Sequence, residues 1–302
     1  MHEGFRELER IEQVFSAYRE DSELSSVNRN AGREAVTASE EFFHVTQRAL
    51  RRSRETRGAV DITVGPLLSV WGIRQNKPRP PSEADLVRAK RLVGSERVIL
   101  DRQAKSIRFR HAGMELDFGG VAKGYAAEKI AGQLEKLGVP SALVNLGRSS
   151  LCASRVRQGW VEAASSTEPC ERLDRWPVAI AHPDGRGAPP LYCFLEAGNA
   201  LSTSGTAEGK FEIAGKQFSH IINPITGMPI SGASSATVVS RDGILAEVAS
   251  KELLLMDATL RPAWHKDRSL ALWAHFAVAK SGELIENTSS ESWIHTDATK
   301  FG

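Results

Sequence analysis

Asp117-Phe-Gly-Gly-Val-Ala-Lys-Gly-Tyr125 joins an apolar extended run to a helical one through three glycines and a lysine. Gly119, Gly120 and Gly124 have no Cβ to keep an anion from the backbone N–H groups, and Lys123 adds a mobile positive charge. The combination suits a phosphate. The plainer alternative is a tight strand-to-helix turn in which Asp117 and Lys123 serve structural ion pairs. Further along, Ser202-Thr-Ser-Gly205 is small and hydroxyl-rich, and His220 follows at a strand-turn-strand distance. An imidazole titrates near neutrality and can take a proton from a hydroxyl, although a lone histidine can equally be a satisfied structural residue.

The elements that must position these groups can be read from periodicity. Leu8, Ile11, Val14, Phe15 and Tyr18 fall at helical spacing and predict an amphipathic helix over 4–19, on whose face a core aromatic is one of two readings of Tyr18. Asp21-Ser22, with Asn28 and Asn30, breaks that pattern. Ser39 followed by Glu40 and Glu41 caps a second helix running to Arg57, and 58–64 reads as a strand or extended segment in which Asp61 makes an Asx turn. Pro78, Pro80 and Pro81 mark a loop, and Ser82 with Asp85 opens a short helix through a capping box. Segments 98–100, 106–109 and 114–118 read as strands, and a helix runs from Val121 to Gly138. Thereafter strands dominate, at 142–145, 160–163, 178–181, 192–196, 220–222 and 236–239, before a helix over 244–256. Strands interleaved with a few long helices predict an α+β fold rather than regular βαβ alternation.

The 302 residues suffice for one large domain, expected over 1–302 with a subdivision, if any, near 158–190. Beyond 257, Trp264, Trp273 and Phe276 suggest a packed end. The formal charge is +2, from 39 basic and 37 acidic residues mixed along the chain, which leaves no electrostatic footprint for nucleic acid. Arg51-Arg52-Ser-Arg54 reads as a solvated helix end. Cys152, Cys170 and Cys193 lack disulfide or zinc spacing and read as small apolar side chains. No segment approaches the length of apolar run that spans a membrane, and the first residues lack a signal-peptide pattern, so the chain as written reads as cytoplasmic.

Further words recur in order: Asp21-Ser-Glu-Leu-Ser-Ser-Val-Asn28, Val60-Asp-Ile-Thr-Val-Gly-Pro66 with Trp71-Gly72, Leu143-Val-Asn-Leu-Gly147 and Ser219-His-Ile-Ile-Asn-Pro-Ile-Thr-Gly227. With the glycine turn and Ser202–Gly205, they resemble the ApbE family of flavin transferases over about residues 6–256. The resemblance implies an ApbE-like, T-fold-related α+β fold and transfer of FMN from FAD to a Ser or Thr of an acceptor protein, releasing AMP. It implies FAD contacts from Tyr18, Ala59, Val60, Asp61, Asp117, Lys123, Ser204 and Ile221, with His220 as the base. It also implies a strand and turn ahead of the first helix, and a periplasmic or membrane-anchored protein if the start is truncated.

The same pattern places Mg²⁺ on a carbonyl matching Gly120 and on an Asp and a Thr four residues apart, matching Glu247 and Lys251. An ammonium has no lone pair to give a metal. Either Glu247 and Lys251 form an i,i+4 ion pair and the metal site is gone, or the Lys251 ammonium neutralises phosphate in the metal's place. Two further departures are Arg148 in place of a glycine after Gly147, and Asn223-Pro224 in place of Asp-Pro. A degenerate FAD-binding protein and an FAD pyrophosphatase releasing FMN and AMP remain alternatives to the transferase.

Overall fold

The computed structural model describes residues 2–139, 141–155, 175–181, 183, 191–207, 209–213, 215–256, 270–278 and 284–288. They form two compact units that interleave along the chain: one takes 1–8, 123–207 and 233–302, the other 9–122 and 208–232. Of the 158–190 segment, only 175–181 and 183 are described. The expected strand at 160–163, Cys170 and Trp264 lie outside the described residues.

The first unit is built on an antiparallel six-stranded sheet. Its strands are β4 (Leu143–Leu146), β5 (Ser150–Ala153), β8 (Ala200–Gly205), β12 (Ser234–Ser240), β13 (Leu270–Val278) and β14 (Leu284–Thr288), in the order β14-β13-β12-β8-β5-β4. Strand alternation divides its side chains between two faces. Cys152 and Ala200 pack with Ala127, Ile130 and Ala131 of α6 (Ala122–Lys136) and with Ala246 of α7 (Gly243–Leu255). Their neighbours Leu151, Ala153 and Leu201 pack instead with Val178, Ile180, Cys193 and Leu195 of a hairpin, β6 (Arg175–Ile180) and β7 (Leu191–Glu196). The helix face therefore also receives Ser150, Ser202 and Ser204. Cys152 and Cys193 are buried and free, as small apolar residues would be, and burial pushes both thiols up to about 12. Trp273 and Phe276 lie on β13, but their side chains are outside the described residues.

The second unit holds the C-terminal half of α1 (His2–Phe15), then α2 (Glu23–Arg29), α3 (Glu40–Glu55), α4 (Gly65–Val70) and α5 (Glu83–Arg91). It has two small antiparallel sheets. One joins β1 (Val36–Thr37), β3 (Ser106–Phe109) and β2 (Val98–Asp101); the other joins β9 (Phe211–Ile213), β10 (Lys216–Ile222) and β11 (Pro229–Ser231). Phe15, Phe42 and Phe118 form an aromatic cluster with ring centroids 5.1 to 5.5 Å apart. Leu67, Trp71, Ala89 and Ile222 form another cluster, whose Trp71 indole donates to the Gly227 carbonyl at 2.8 Å.

Ser39 and Ser82 cap α3 and α5 as their sequences predict. Arg51 and Arg52 share Glu55 at the solvated end of α3. Four expectations fail. The first helix stops at Phe15 rather than 19, leaving Tyr18 78% exposed beyond it, which removes the core-aromatic alternative. Residues 23–29, read as broken chain, form α2, because Ser22 accepts from the Ser25 N–H and caps it. Residues 58–64 are turns rather than a strand, with Gly58 at φ +79°. Residues 114–118 are extended without a partner strand, since Leu116 is held instead by the Asn28 amide, which accepts at 2.8 Å and donates at 3.0 Å. Strands β1, β5, β8, β9, β11, β13 and β14, and the short helix α4, were not foreseen at all.

Candidate functional site

In the first unit the site grows from the crossing of α6 and α7. Gly124 reads from sequence as bared backbone for an anion, but here it is buried. A Cβ on it would stand 2.2 Å from the Gly243 carbonyl oxygen and 2.6 Å from Glu247 Cγ, so its glycine character serves close helix approach. The α7 N-terminus is fixed by Asp242, which accepts from Leu245 N–H at 2.9 Å, and by Glu128 of α6, which accepts from Gly243 N–H at 3.0 Å.

One turn into α7, Glu247 is 1% exposed. Its Oε2 accepts from the Lys251 ammonium at 2.7 Å, and its Oε1 accepts from the Ser150 hydroxyl on β5. Lys251 also reaches the Glu247 carbonyl at 3.4 Å, and its side chain stays 18% exposed. Burial alone would raise the Glu247 carboxyl, but the ammoniums of Lys251 and Lys123, with the hydrogen bonds from Lys251 and Ser150, outweigh it. They hold the group below the ordinary carboxylate value. Lys123 is exposed and donates to Ser149 Oγ. It lies along the β4–β5 turn, where Gly147 (φ +62°) and Arg148 (φ +58°) are both left-handed and Asn145 Oδ1 accepts from Arg148 N–H at 3.0 Å. Ser204 is buried on β8 and meets Ser250 of α7 at 2.8 Å. The structure thus brings Lys123, Glu247 and Lys251 together. It adds Ser149 and Ser150, whose only sequence signal was their place just past the Gly147-Arg148 turn.

In the second unit, the Asp117 N–H donates to the Ile62 carbonyl at 2.7 Å, so the 59–62 segment runs beside Asp117. The Asp117 carboxylate accepts from Arg74 at 3.0 Å and from Gly119 N–H at 2.9 Å, and Glu115 accepts from the same guanidinium. Arg74 Nε is buried without a partner. Arg74 was not foreseen from the sequence. With Ala17, Glu20, Ser25, Asn28, Arg29 and Glu115 it lines a pocket of about 260 Å³.

Asp61 is buried, with Oδ1 accepting from both the N–H and hydroxyl of Thr63 at 2.8 Å and Oδ2 from Ser95 N–H at 3.0 Å. Burial pushes its carboxyl up, and those hydrogen bonds only partly offset the push. This is the Asx turn the sequence suggested, though no strand follows it. Ala59 and Val60 are half-buried in the preceding turns, Gly120 is half-buried, and Tyr18 is exposed. His220 is exposed near the end of β10, between buried Ser219 and Ile221. Gly209 (φ +59°) lies against its imidazole, and a Cβ there would stand 2.4 Å from Nδ1.

Mg²⁺ needs hard oxygen donors in near-octahedral array. Both Glu247 oxygens are occupied by donors of this chain, and Lys251 offers an ammonium where an oxygen would be needed. The donor set does not suit the ion.

A family model described as the ApbE family matches residues 1–273. Proteins named FAD:protein FMN transferase are similar in sequence. One from Klebsiella pneumoniae (strain 342) is 29% identical over 245 residues, covering 81% of this chain and 71% of the relative. One from Treponema pallidum (strain Nichols) is 32% identical over 234 residues, covering 76% of this chain and 63% of the relative. Among solved structures, an ApbE protein from Thermotoga maritima superposes with a TM-score of 0.80 at 24% identity, covering 95% of this chain and 88% of that one. The flavin transferase ApbE from Vibrio cholerae gives a TM-score of 0.77 at 25% identity, with 96% and 87% covered. These likenesses agree with the α+β fold read from the sequence.

Proposed function

The chain belongs to the ApbE family, and from that premise we propose that it transfers FMN from FAD to a Ser or Thr hydroxyl of an acceptor protein. The acceptor oxygen attacks the phosphorus on the FMN side of the FAD diphosphate. The bond from that phosphorus to the bridging oxygen breaks, and AMP leaves with the oxygen and its electron pair. Such transfers depend mainly on positioning and on neutralising phosphate charge.

The observation that carries this reading is the Lys123–Glu247–Lys251 cluster, because two ammoniums around one carboxylate leave one net positive charge for a diphosphate. Lys123 serves the phosphates, and Asp117 serves the ribose or adenine. Tyr18, Ala59, Val60 and Asp61 contribute the remaining ring and backbone contacts, with Ser204 and Ile221 completing the set. His220 takes the hydroxyl proton; its exposure and the space left by Gly209 suit an imidazole that must meet a second protein.

Incubating the chain with FAD and a protein carrying a flavinylation site, then scanning the denatured acceptor for covalent flavin fluorescence, tests the proposal. A labelled acceptor supports it. Free FMN and AMP with no label point to a pyrophosphatase. A second reading, an FAD-binding protein without transfer, draws on the same closed Glu247–Lys251 pair, and bound flavin with no turnover would select it.

A further inference from the structure

We propose that the Lys251 ammonium is this chain's built-in substitute for a divalent cation, and that with Lys123 it forms a diphosphate subsite that works without metal. The inference rests on FAD being the substrate. A metal seat needs carboxylate oxygens free to face the ion, and each Glu247 oxygen already faces a donor of this chain: the Lys251 ammonium at Oε2, 2.7 Å away, and the Ser150 hydroxyl at Oε1. Glu247 is 1% exposed, so its paired oxygens do not face solvent.

An ammonium has three N–H donors. Lys251 spends two on the carboxylate and carbonyl of Glu247, the second of them long at 3.4 Å, and its side chain remains 18% exposed. One donor is thus left for a ligand. Lys123, held by Ser149 beside the glycine-containing β4–β5 turn, supplies a second cation close enough to act on Glu247. The buried carboxylate then positions Lys251 as a point charge, as lysines do toward phosphates elsewhere. A dication entering this cluster would meet two ammoniums and one carboxylate already paired.

The test is FAD affinity, read by flavin fluorescence, in excess EDTA and in millimolar Mg²⁺. The native chain should bind equally well in both. E247Q/K251M, which removes the pair without stranding a charge, should bind about tenfold more weakly and gain nothing from Mg²⁺. E247D/K251T, which restores oxygen donors, should bind weakly in EDTA and recover with Mg²⁺. Tightening of native binding by Mg²⁺ of about tenfold or more would overturn the inference, as would undiminished binding by E247Q/K251M in EDTA.

Mn²⁺ titration followed by electron paramagnetic resonance decides the matter independently of FAD. A stoichiometric Mn²⁺ site in the native chain overturns the inference, whereas a site gained only in E247D/K251T supports it. Failure to bind FAD under every condition would instead sink the transferase reading, and the Mn²⁺ result would still stand.

Discussion

Gly124 on α6 and Gly243 on α7 share one point of backbone contact: a Cβ on either would stand 2.2 or 2.3 Å from the other's carbonyl oxygen. That closeness fixes where α7 begins relative to α6, and with it the distance from Lys123 to Glu247. Gly124→Ala must separate the helices. Overpacking of this kind typically costs about 1–3 kcal/mol, so the urea midpoint should fall with little change in slope. FAD affinity should fall with it, because Glu247 Cγ lies 2.6 Å from the added carbon.

The Glu247–Lys251 pair makes an asymmetric double-mutant cycle. Lys251→Met leaves a buried carboxylate without its nearest cation, a loss that typically costs about 3–5 kcal/mol. The lower figure is expected, since Ser150 and Lys123 remain. The double variant E247Q/K251M should recover most of that loss in urea unfolding. A Lys251→Met chain as stable as the native one would show that the pair does not matter to the fold.

Asp61 gives a pH signature. Burial raises its folded pKa above the ordinary 3.8, so between that value and the folded one the native chain keeps a proton that the unfolded chain has lost. This group's contribution to stability therefore rises as pH falls through the folded pKa, and the burial cost of the carboxylate is felt above it. Asp61→Asn cannot titrate. It also places an amide donor or a lost acceptor against Thr63 or Ser95, costing about 1–3 kcal/mol. Unfolding midpoints measured from neutral pH down to about 4 should show the native chain gaining on the variant as pH falls.

Gly209 and His220 form a positioning pair. Gly209→Ala would drive a methyl into the imidazole, 2.4 Å from Nδ1 at the unrelaxed position, and should lower transfer while leaving FAD binding near native. His220→Asn should remove about 10²–10⁴-fold of the transfer rate, the range for a lost general base. Equal loss of FAD affinity in both variants would mark His220 as a binding residue instead.

Much of the fold was legible where local chemistry is strong. Ser39 and Ser82 announce α3 and α5 because hydroxyl caps act within one turn, and α6 and α7 are long enough for periodicity to show. The failures share a physical cause. Strand β8, Ala-Leu-Ser-Thr-Ser-Gly, carries little intrinsic β signal and exists through pairing with β5 and β12. Residues 114–118 look like a strand, yet Leu116 pairs with the side chain of Asn28, 88 positions away, and Asp117 with the Ile62 carbonyl of a turn. The site was legible as residue types and not as geometry. Glu247 and Lys251 were read either as an i,i+4 pair or as an ammonium standing in a metal's place, and Ser150, Arg74 and the helix-crossing role of Gly124 depend on contacts that no spacing encodes.

Intact-mass spectrometry of an acceptor protein incubated with this chain and FAD, with AMP quantified in the same sample, tests the transferase reading most directly. The account predicts that the acceptor gains one FMN with loss of water, matched mole for mole by AMP, and that neither product forms when the acceptor's Ser or Thr is replaced by alanine. AMP released at the same rate without acceptor, or an acceptor of unchanged mass under conditions where a homologous transferase modifies it, would contradict the account.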